Sequence, residues 1–120
     1  MPHITLECTS NISINYSSFF KELSDALSAT GHASTMGIKC RVVTSDEYYI
    51  ADGQPDYSMV NLLIRLREGR EKAVLERFSQ IGLALLKQHC AADIEAKRII
   101  ISTEIKELVK DIDLTSNAIR

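Results

Sequence analysis

The order of its hydrophobic patterns constrains this chain more than any other feature. Apolar side chains alternate over residues 3–8, recur at helical spacing over residues 19–30, and give way to a β-branched and aromatic stretch at residues 38–50. Alternation is typical of a half-buried strand, and recurrence every three or four residues of an amphipathic helix. The first half therefore predicts a strand, a helix and a strand. Tyr48 and Tyr49 would point to opposite faces of that second strand, with packing as their preferred role.

The second half repeats this plan after a loop. Residues 51–58, ADGQPDYS, have the Gly, Pro and Asp content of a loop. Residues 59–67 alternate as a third strand, and an apolar stripe over residues 74–89 predicts a long helix. Residues 98–105, RIIISTEI, predict the last strand, and the tail from Glu107 is expected to be short and polar.

Two strand–helix–strand units predict an α/β (α+β) fold in a single domain of residues 1–120. The pseudo-repeats cover about residues 2–50 and 58–106, which indicates an internal duplication. Parallel strands joined through a helix take right-handed crossovers, and the two long helices are expected to pack on one face of the sheet. The other face would expose apolar side chains such as Leu63 and Ile100, so we expect an oligomer that buries it.

Charge and composition argue against two classes of partner. The net charge is −2, with 45% apolar and 25% charged residues. Nucleic acid is not expected, because phosphate contacts need a basic surplus on one face. A membrane is not expected either, because no apolar run approaches the roughly 18–20 residues that span a bilayer. The start MPHITLECTS has neither the cationic start nor the apolar stretch of a secretion signal. This predicts a cytoplasmic location.

Cysteine and histidine are scattered along the chain. Cys8, Cys40 and Cys90 are odd in number and widely spaced, so we interpret them as reduced, structural thiols. The three histidines also lack the spacing of a metal site. No metal is therefore expected.

The Met-Pro start offers a candidate catalytic base. An initiator methionine is commonly removed before proline, and this would leave Pro2 with a free secondary amine. An ordinary α-amino group has a pKa near 8 and a secondary amine is more basic, but burial and nearby cations both lower the pKa. A neutral amine near pH 7 is a competent general base. An ordinary terminus remains the alternative reading of Met-Pro.

Three cations are candidate substrate-binding residues. Arg70 lies in REGR, where the third strand meets the long helix. A helix N-terminus favours anions, and a guanidinium can bind a carboxylate through two hydrogen bonds. Lys39 and Arg41 share one face of the second strand. A solvated surface charge is the alternative for each of them, and is the preferred interpretation of Lys39, Arg65 and Arg67.

Four segments also carry a family resemblance: the start MPHITLEC, the segment GIKCR, the loop ADGQPDY and the turn EGR before the long helix. Together they resemble the 5-carboxymethyl-2-hydroxymuconate isomerase family of the tautomerase superfamily, from Pro2 to about Leu108. The most specific parts are Met-Pro-His and ADGQ-x-DY at residues 51–57. The resemblance implies a duplicated β-α-β tautomerase-like fold, a homotrimer and no cofactor. It also implies a role in degrading homoprotocatechuate, which derives from 4-hydroxyphenylacetate.

The resemblance assigns roles to individual residues. On the family pattern Pro2 is the base, and Arg41 and Arg70 bind carboxylates of a small anionic unsaturated substrate. Lys39 stands where the family usually has arginine, which keeps the charge but loses the planar guanidinium. The hypothesis is a proton shift in an unsaturated 2-hydroxy dicarboxylate or tricarboxylate, expected to be 5-carboxymethyl-2-hydroxymuconate. A non-catalytic trimeric binding homologue and another superfamily reaction, such as dehalogenation or decarboxylation, remain open.

Overall fold

A computed structural model describes residues 1–119 and contains one mixed four-stranded sheet with two long helices. The elements are β1 (His3–Thr9), α1 (Tyr16–Ala29), a 3-10 turn (Thr35–Gly37), β2 (Lys39–Ser45), β3 (Ser58–Arg67), α2 (Lys72–His89), α3 (Ala91–Glu95) and β4 (Ile99–Leu108). This confirms the predicted α+β class and the order of its six main elements. Arg120, the last residue of the predicted domain, lies outside the described residues.

The sheet order β2-β1-β3-β4 joins two β-α-β units at the centre. β1 pairs with β2, and β3 with β4, in parallel, whereas β1 and β3 are antiparallel. His3 consequently lies beside Lys39 on one side and Arg65 on the other. We call this end of the sheet, where β1 and β2 begin and β3 and β4 end, the Pro2 end. The internal duplication itself stays a prediction.

One face of the sheet carries the hydrophobic core. Strand side chains on this face and the inward stripes of both long helices are nearly inaccessible: Ile4, Leu6, Val60, Leu62, Ile64, Leu66, Phe19, Leu23, Leu27, Phe78 and Leu86. The two helices therefore cover the same face, as the sequence predicted. The opposite face, which we call the open face, carries the alternate residues of every strand. There Ile100 is 56% exposed and Leu63 is half-buried.

Local signals fix the ends of α1. The Asn15 side chain accepts a hydrogen bond from the backbone N–H of Ser18 at 3.1 Å, which satisfies a free donor of the first turn. Gly31 follows the helix with φ = +80°, a left-handed conformation that glycine adopts without a steric penalty. The chain then turns back toward β2.

The second strand is shorter than predicted. β2 ends at Ser45, opposite Thr9 at the end of β1, and residues 46–50 continue as a loop. Within residues 1–119 β2 is an edge strand that pairs with β1 alone, so its pairing stops where β1 ends. Tyr49 lies in this loop, 79% exposed, and its ring packs closely on Gly53. Assigning Tyr48 and Tyr49 to a strand was therefore wrong.

The C-terminal region also differs from the prediction. β4 continues to Leu108, because it pairs with β3 as far as Arg67. The tail beyond it is not simply polar: Val109, Ile112, Leu114 and Ile119 are large, exposed hydrophobic residues. Periodicity could not reveal this, since the tail is short and its apolar residues are isolated.

Gly82 allows α2 to approach the sheet closely. A Cβ atom at this buried position would lie 2.7 Å from Leu62 Cδ2 and 3.4 Å from Thr103 Cγ2. Because both neighbours are packed in place, we expect Gly82→Val to lower the free energy of unfolding by about 1–3 kcal/mol. Urea denaturation at fixed protein concentration measures this. Ala84→Val, on the exposed side of α2, is the control. It should lower the free energy of unfolding by only about 0.5 kcal/mol, because valine has a lower helix propensity than alanine. Equal losses would contradict the close approach.

Candidate active site

Pro2 is buried at the start of β1. The Pro2 carbonyl accepts a hydrogen bond from the backbone N–H of Lys39 at 3.1 Å. This bond between the starts of β1 and β2 fixes the position of Pro2. In this structure Met1 is joined to Pro2, and the ring nitrogen is therefore an amide. An amide nitrogen is not a base at neutral pH. Basic chemistry at Pro2 requires that Met1 be removed.

Basic side chains form a row across the Pro2 end of the open face. His3 lies between Lys39 and Arg65, and Lys106 lies beside Arg65. One step further along, Arg41 lies beside Thr5. Burial and the nearby charges of Lys39, Arg65 and Arg41 all lower the pKa of His3. The site therefore has a positive potential that favours anions and penalises any further positive charge.

Lys39, at one end of this row, also lies beside the C-terminal tail. Its ammonium group donates a hydrogen bond to the Gly37 carbonyl at 3.1 Å, and partial burial lowers its pKa. It lines a cavity of about 220 Å³. The other residues lining this cavity are Met36, Gly37, Ile38 and residues 115–119.

Arg41 lines a different and larger cavity of about 420 Å³. The other residues lining it are His3, Arg65, Leu108, Ile112, Asp113, Leu114 and Thr115. We call this space the tail cavity, because the tail forms one wall and the open face the other. Arg41 is exposed, so its guanidinium is accessible to a small anion.

Arg70 is held by main-chain carbonyls. Its Nε and Nη2 atoms donate to the His32 carbonyl at 3.2 and 2.9 Å, and Nη1 donates to the Arg67 carbonyl at 3.0 Å. A guanidinium has five N–H groups, so one remains on each terminal nitrogen. Arg70 thus ties the β3–α2 turn to the loop before β2 and keeps two donors for an anion.

The fold brings the four predicted site residues to one end of the sheet but not into one cavity. Pro2, Lys39 and Arg41 belong to the adjoining starts of β1 and β2, and Arg70 follows the end of β3. Lys39 and Arg41 line separate cavities, and Pro2 lines neither of the two. Sequence reasoning missed Arg65, since its position beside His3 depends on strand register, which no local pattern shows.

The thiols have the environment expected of structural residues. Cys8 and Cys90 are buried and Cys40 is half-buried, and all three are free. Burial raises the pKa of Cys40 and of Cys90 to about 11, so both stay protonated at neutral pH and are poor nucleophiles. Within residues 1–119, His, Cys, Asp and Glu side chains form no group of three or more that could hold a metal ion. Over the same residues, none of the helices is long and apolar enough to cross a membrane.

Comparison with known proteins gives a consistent result. Residues 2–120 match the model of the 5-carboxymethyl-2-hydroxymuconate isomerase family. The 5-carboxymethyl-2-hydroxymuconate Delta-isomerase of Escherichia coli is 32% identical over 119 residues, which cover 98% of this chain and 94% of that protein.

Solved structures agree with this match. A 5-carboxymethyl-2-hydroxymuconate isomerase from Deinococcus radiodurans R1 superposes with a TM-score of 0.91 at 28% identity, over 98% of this chain and 90% of that one. A fused 4-OT wild-type symmetric trimer superposes with a TM-score of 0.74 at 14% identity, over 96% of this chain and 92% of that one. The second similarity concerns the fold alone.

Proposed function

The chain belongs to the 5-carboxymethyl-2-hydroxymuconate isomerase family, and from this premise we propose that it isomerises 5-carboxymethyl-2-hydroxymuconate with the Pro2 nitrogen as its base. The observation that carries the proposal is the environment of Pro2. The residue is buried directly before β1 and has the basic row of the open face beside it. The family match begins at this residue.

Removal of Met1 would make Pro2 a secondary amine whose neutral form is favoured by its surroundings. The same cations that lower the pKa of His3, one residue away, would also disfavour a positive charge on the amine. Burial acts in the same direction. A neutral amine near pH 7 can accept a proton and return it, so a single group serves as base and acid.

The proton shift needs no further reactant. Pro2 nitrogen accepts the proton of the substrate 2-hydroxy group, which breaks the O–H bond and spreads the negative charge over the conjugated chain as a dienolate. The protonated amine then gives this proton to a remote carbon, a C–H bond forms and the 2-oxo product results. Charge that grows on the dienolate is stabilised by cations already in position.

The cations have separate roles in this proposal. Arg41 is accessible and binds one carboxylate, while Arg70 offers its two remaining N–H groups to another. Lys39 adds positive charge at the start of β2, where its backbone N–H is bonded to the Pro2 carbonyl and its ammonium group to the Gly37 carbonyl. In this proposal the amine moves the proton and the cations hold the carboxylates, so the reaction as written requires no metal ion.

We also propose that the protein acts as a homotrimer in the cytosol. Met59 and Ile100 leave apolar surface on the open face, 42% and 56% exposed, which a neighbouring subunit would bury. A structural neighbour with the same fold is described as a symmetric trimer. The expected role, which the family resemblance of the sequence implies, is in the breakdown of homoprotocatechuate.

A panel of dienols tests the proposed reaction. Purified chain without Met1 is mixed with 5-carboxymethyl-2-hydroxymuconate or with 2-hydroxymuconate, which lacks the carboxymethyl group, and decay of the dienol absorbance is followed. We expect faster decay of the first compound, since it offers a third carboxylate to the basic site. No acceleration of either decay would overturn the isomerase proposal. Binding without turnover would favour a non-catalytic homologue instead.

A further inference from the structure

The open face changes character from row to row along the strands. Residues of one row lie beside one another in the register of the sheet. The basic row at the Pro2 end consists of Lys39, His3, Arg65 and Lys106. At the opposite end Met59 and Ile100 lie side by side and leave apolar surface exposed. The open face is therefore one surface with two unlike ends.

Two carboxylates lie between these ends and share one amide donor. The Asn61 side chain donates to Glu104 Oε1 at 2.7 Å and to Glu7 Oε1 at 3.5 Å. Both glutamates are exposed, and we call them the acidic pair. No ion pair within residues 1–119 involves Glu7. Two carboxylates held at one donor repel each other, so an added cation would stabilise the pair.

Within one chain the centre of the basic row lies far from Glu7. Glu7 follows His3 by four positions along β1, which corresponds to about 13 Å in an extended strand. Charges in water are screened over about 8 Å at physiological salt. Lys106 Nζ lies 3.8 Å from Glu104 Oε2, but this pair is exposed and contributes little. The basic row and the acidic pair can therefore bind charges of another molecule.

A ring of three identical subunits requires two unlike patches on every subunit. Each interface of such a ring joins one patch to the other patch of the next copy, and the ring closes when the rotation between neighbours is one third of a turn. The open face carries a positive patch, a negative patch and the apolar surface of Met59 and Ile100. A second copy of this chain supplies the complement of all three at once.

We propose that the basic row of each subunit docks head to tail on the acidic pair of the next copy, and that Met59 and Ile100 are buried beside this contact. The proposal rests on the homotrimer of the proposed function and specifies which surfaces meet in it. Opposite charges across an interface fix its register and exclude the arrangement in which like ends meet.

Sedimentation velocity of the full-length chain, with fluorescence detection at decreasing concentrations, gives the concentration at which half of the trimers dissociate. We expect Lys106→Glu to raise this concentration at least about tenfold, because like charges then face each other at all three interfaces. Lys72→Glu is the matched control. Lys72 is also exposed and lies 3.7 Å from Glu76, but it belongs to α2 on the other side of the sheet. This control should change the concentration less than about twofold.

A charge exchange between the two patches gives a sharper test. Glu7→Lys alone should also raise the dissociation concentration at least about tenfold, and it replaces Lys106→Glu if that variant does not fold. A chain with both substitutions again has opposite charges facing each other at every interface. Its dissociation concentration should return to within about threefold of that of the unaltered chain. Effects that simply add in the double variant would overturn the pairing.

The remaining outcomes also decide the question. An unaltered chain that sediments as a monomer or a dimer, or that assembles only with a different protein, would overturn the proposed docking. So would equal values for Lys106→Glu and Lys72→Glu, including a lack of dissociation in both. Dienol turnover is measured separately on the unaltered chain. A trimer with this charge dependence but without turnover would support the docking and remove only the isomerase proposal.

Discussion

A chain whose Pro2 nitrogen is capped by additional residues is expected to lose isomerase activity roughly 10²- to 10⁴-fold, the contribution of a positioned general base. The cap converts the ring amine into an amide, which cannot accept a proton at neutral pH. The fold should be unaffected, since Pro2 is already held through its carbonyl by the Lys39 N–H. The measurement is the initial rate of dienol decay by the capped chain.

The same molecules provide the control. A protease site placed directly before Pro2 allows the cap to be removed, so that the rate can be compared before and after cleavage in one preparation. Recovery of activity on cleavage is the expected result. Equal rates before and after would contradict a role for the Pro2 nitrogen. Pro2→Ala is a weaker probe, because alanine would retain a primary amine.

The largest effect on stability is expected from Phe19→Ala. Phe19 is fully buried, and its ring packs edge-on against Phe20 and His89, with centroid distances of 5.8 and 5.2 Å. Removing it leaves a cavity between α1 and α2 and should lower the free energy of unfolding by about 3–5 kcal/mol. Since domains are stabilised by only about 5–15 kcal/mol in total, this variant should be close to unfolding. Urea denaturation at fixed protein concentration provides the measurement.

Phe20→Ala is a matched control for this substitution. Phe20 is the adjacent residue of the same helix and the same type, but it is only half-buried. Phe20→Ala should therefore lower the free energy of unfolding by less than half as much as Phe19→Ala. The truncation removes less buried apolar surface, and the side chains around this site can relax. Equal losses at the two positions would show that the core does not lie where the burial pattern indicates.

Much of the fold could be predicted because buried faces have a regular period. Ile4 and Leu6 alternate with polar neighbours, and Phe19, Leu23 and Leu27 recur at helical spacing, so both the elements and their inner faces follow from the sequence. The ends of edge strands could not be predicted in this way. β2 stops where its partner stops, and β4 extends as far as β3 does, and both limits depend on contacts between distant residues.

The candidate site could be predicted only in part for the same reason. Pro2, Lys39, Arg41 and Arg70 were identified from a motif or from their position within an element. Arg65 looked like a solvated charge, because only the antiparallel register of β1 and β3 places it beside His3. The carbonyl of His32 that binds Arg70 is 38 residues away along the chain, and no local pattern indicates such a contact.

Intact-mass spectrometry of the protein purified from its native host, combined with activity on the same samples, tests the claim about Pro2 most directly. The proton shift requires the ring amine, so activity per mole should rise in proportion to the fraction of chains that have lost the initiator methionine. Full activity in a sample whose chains all retain Met1 would contradict the mechanism.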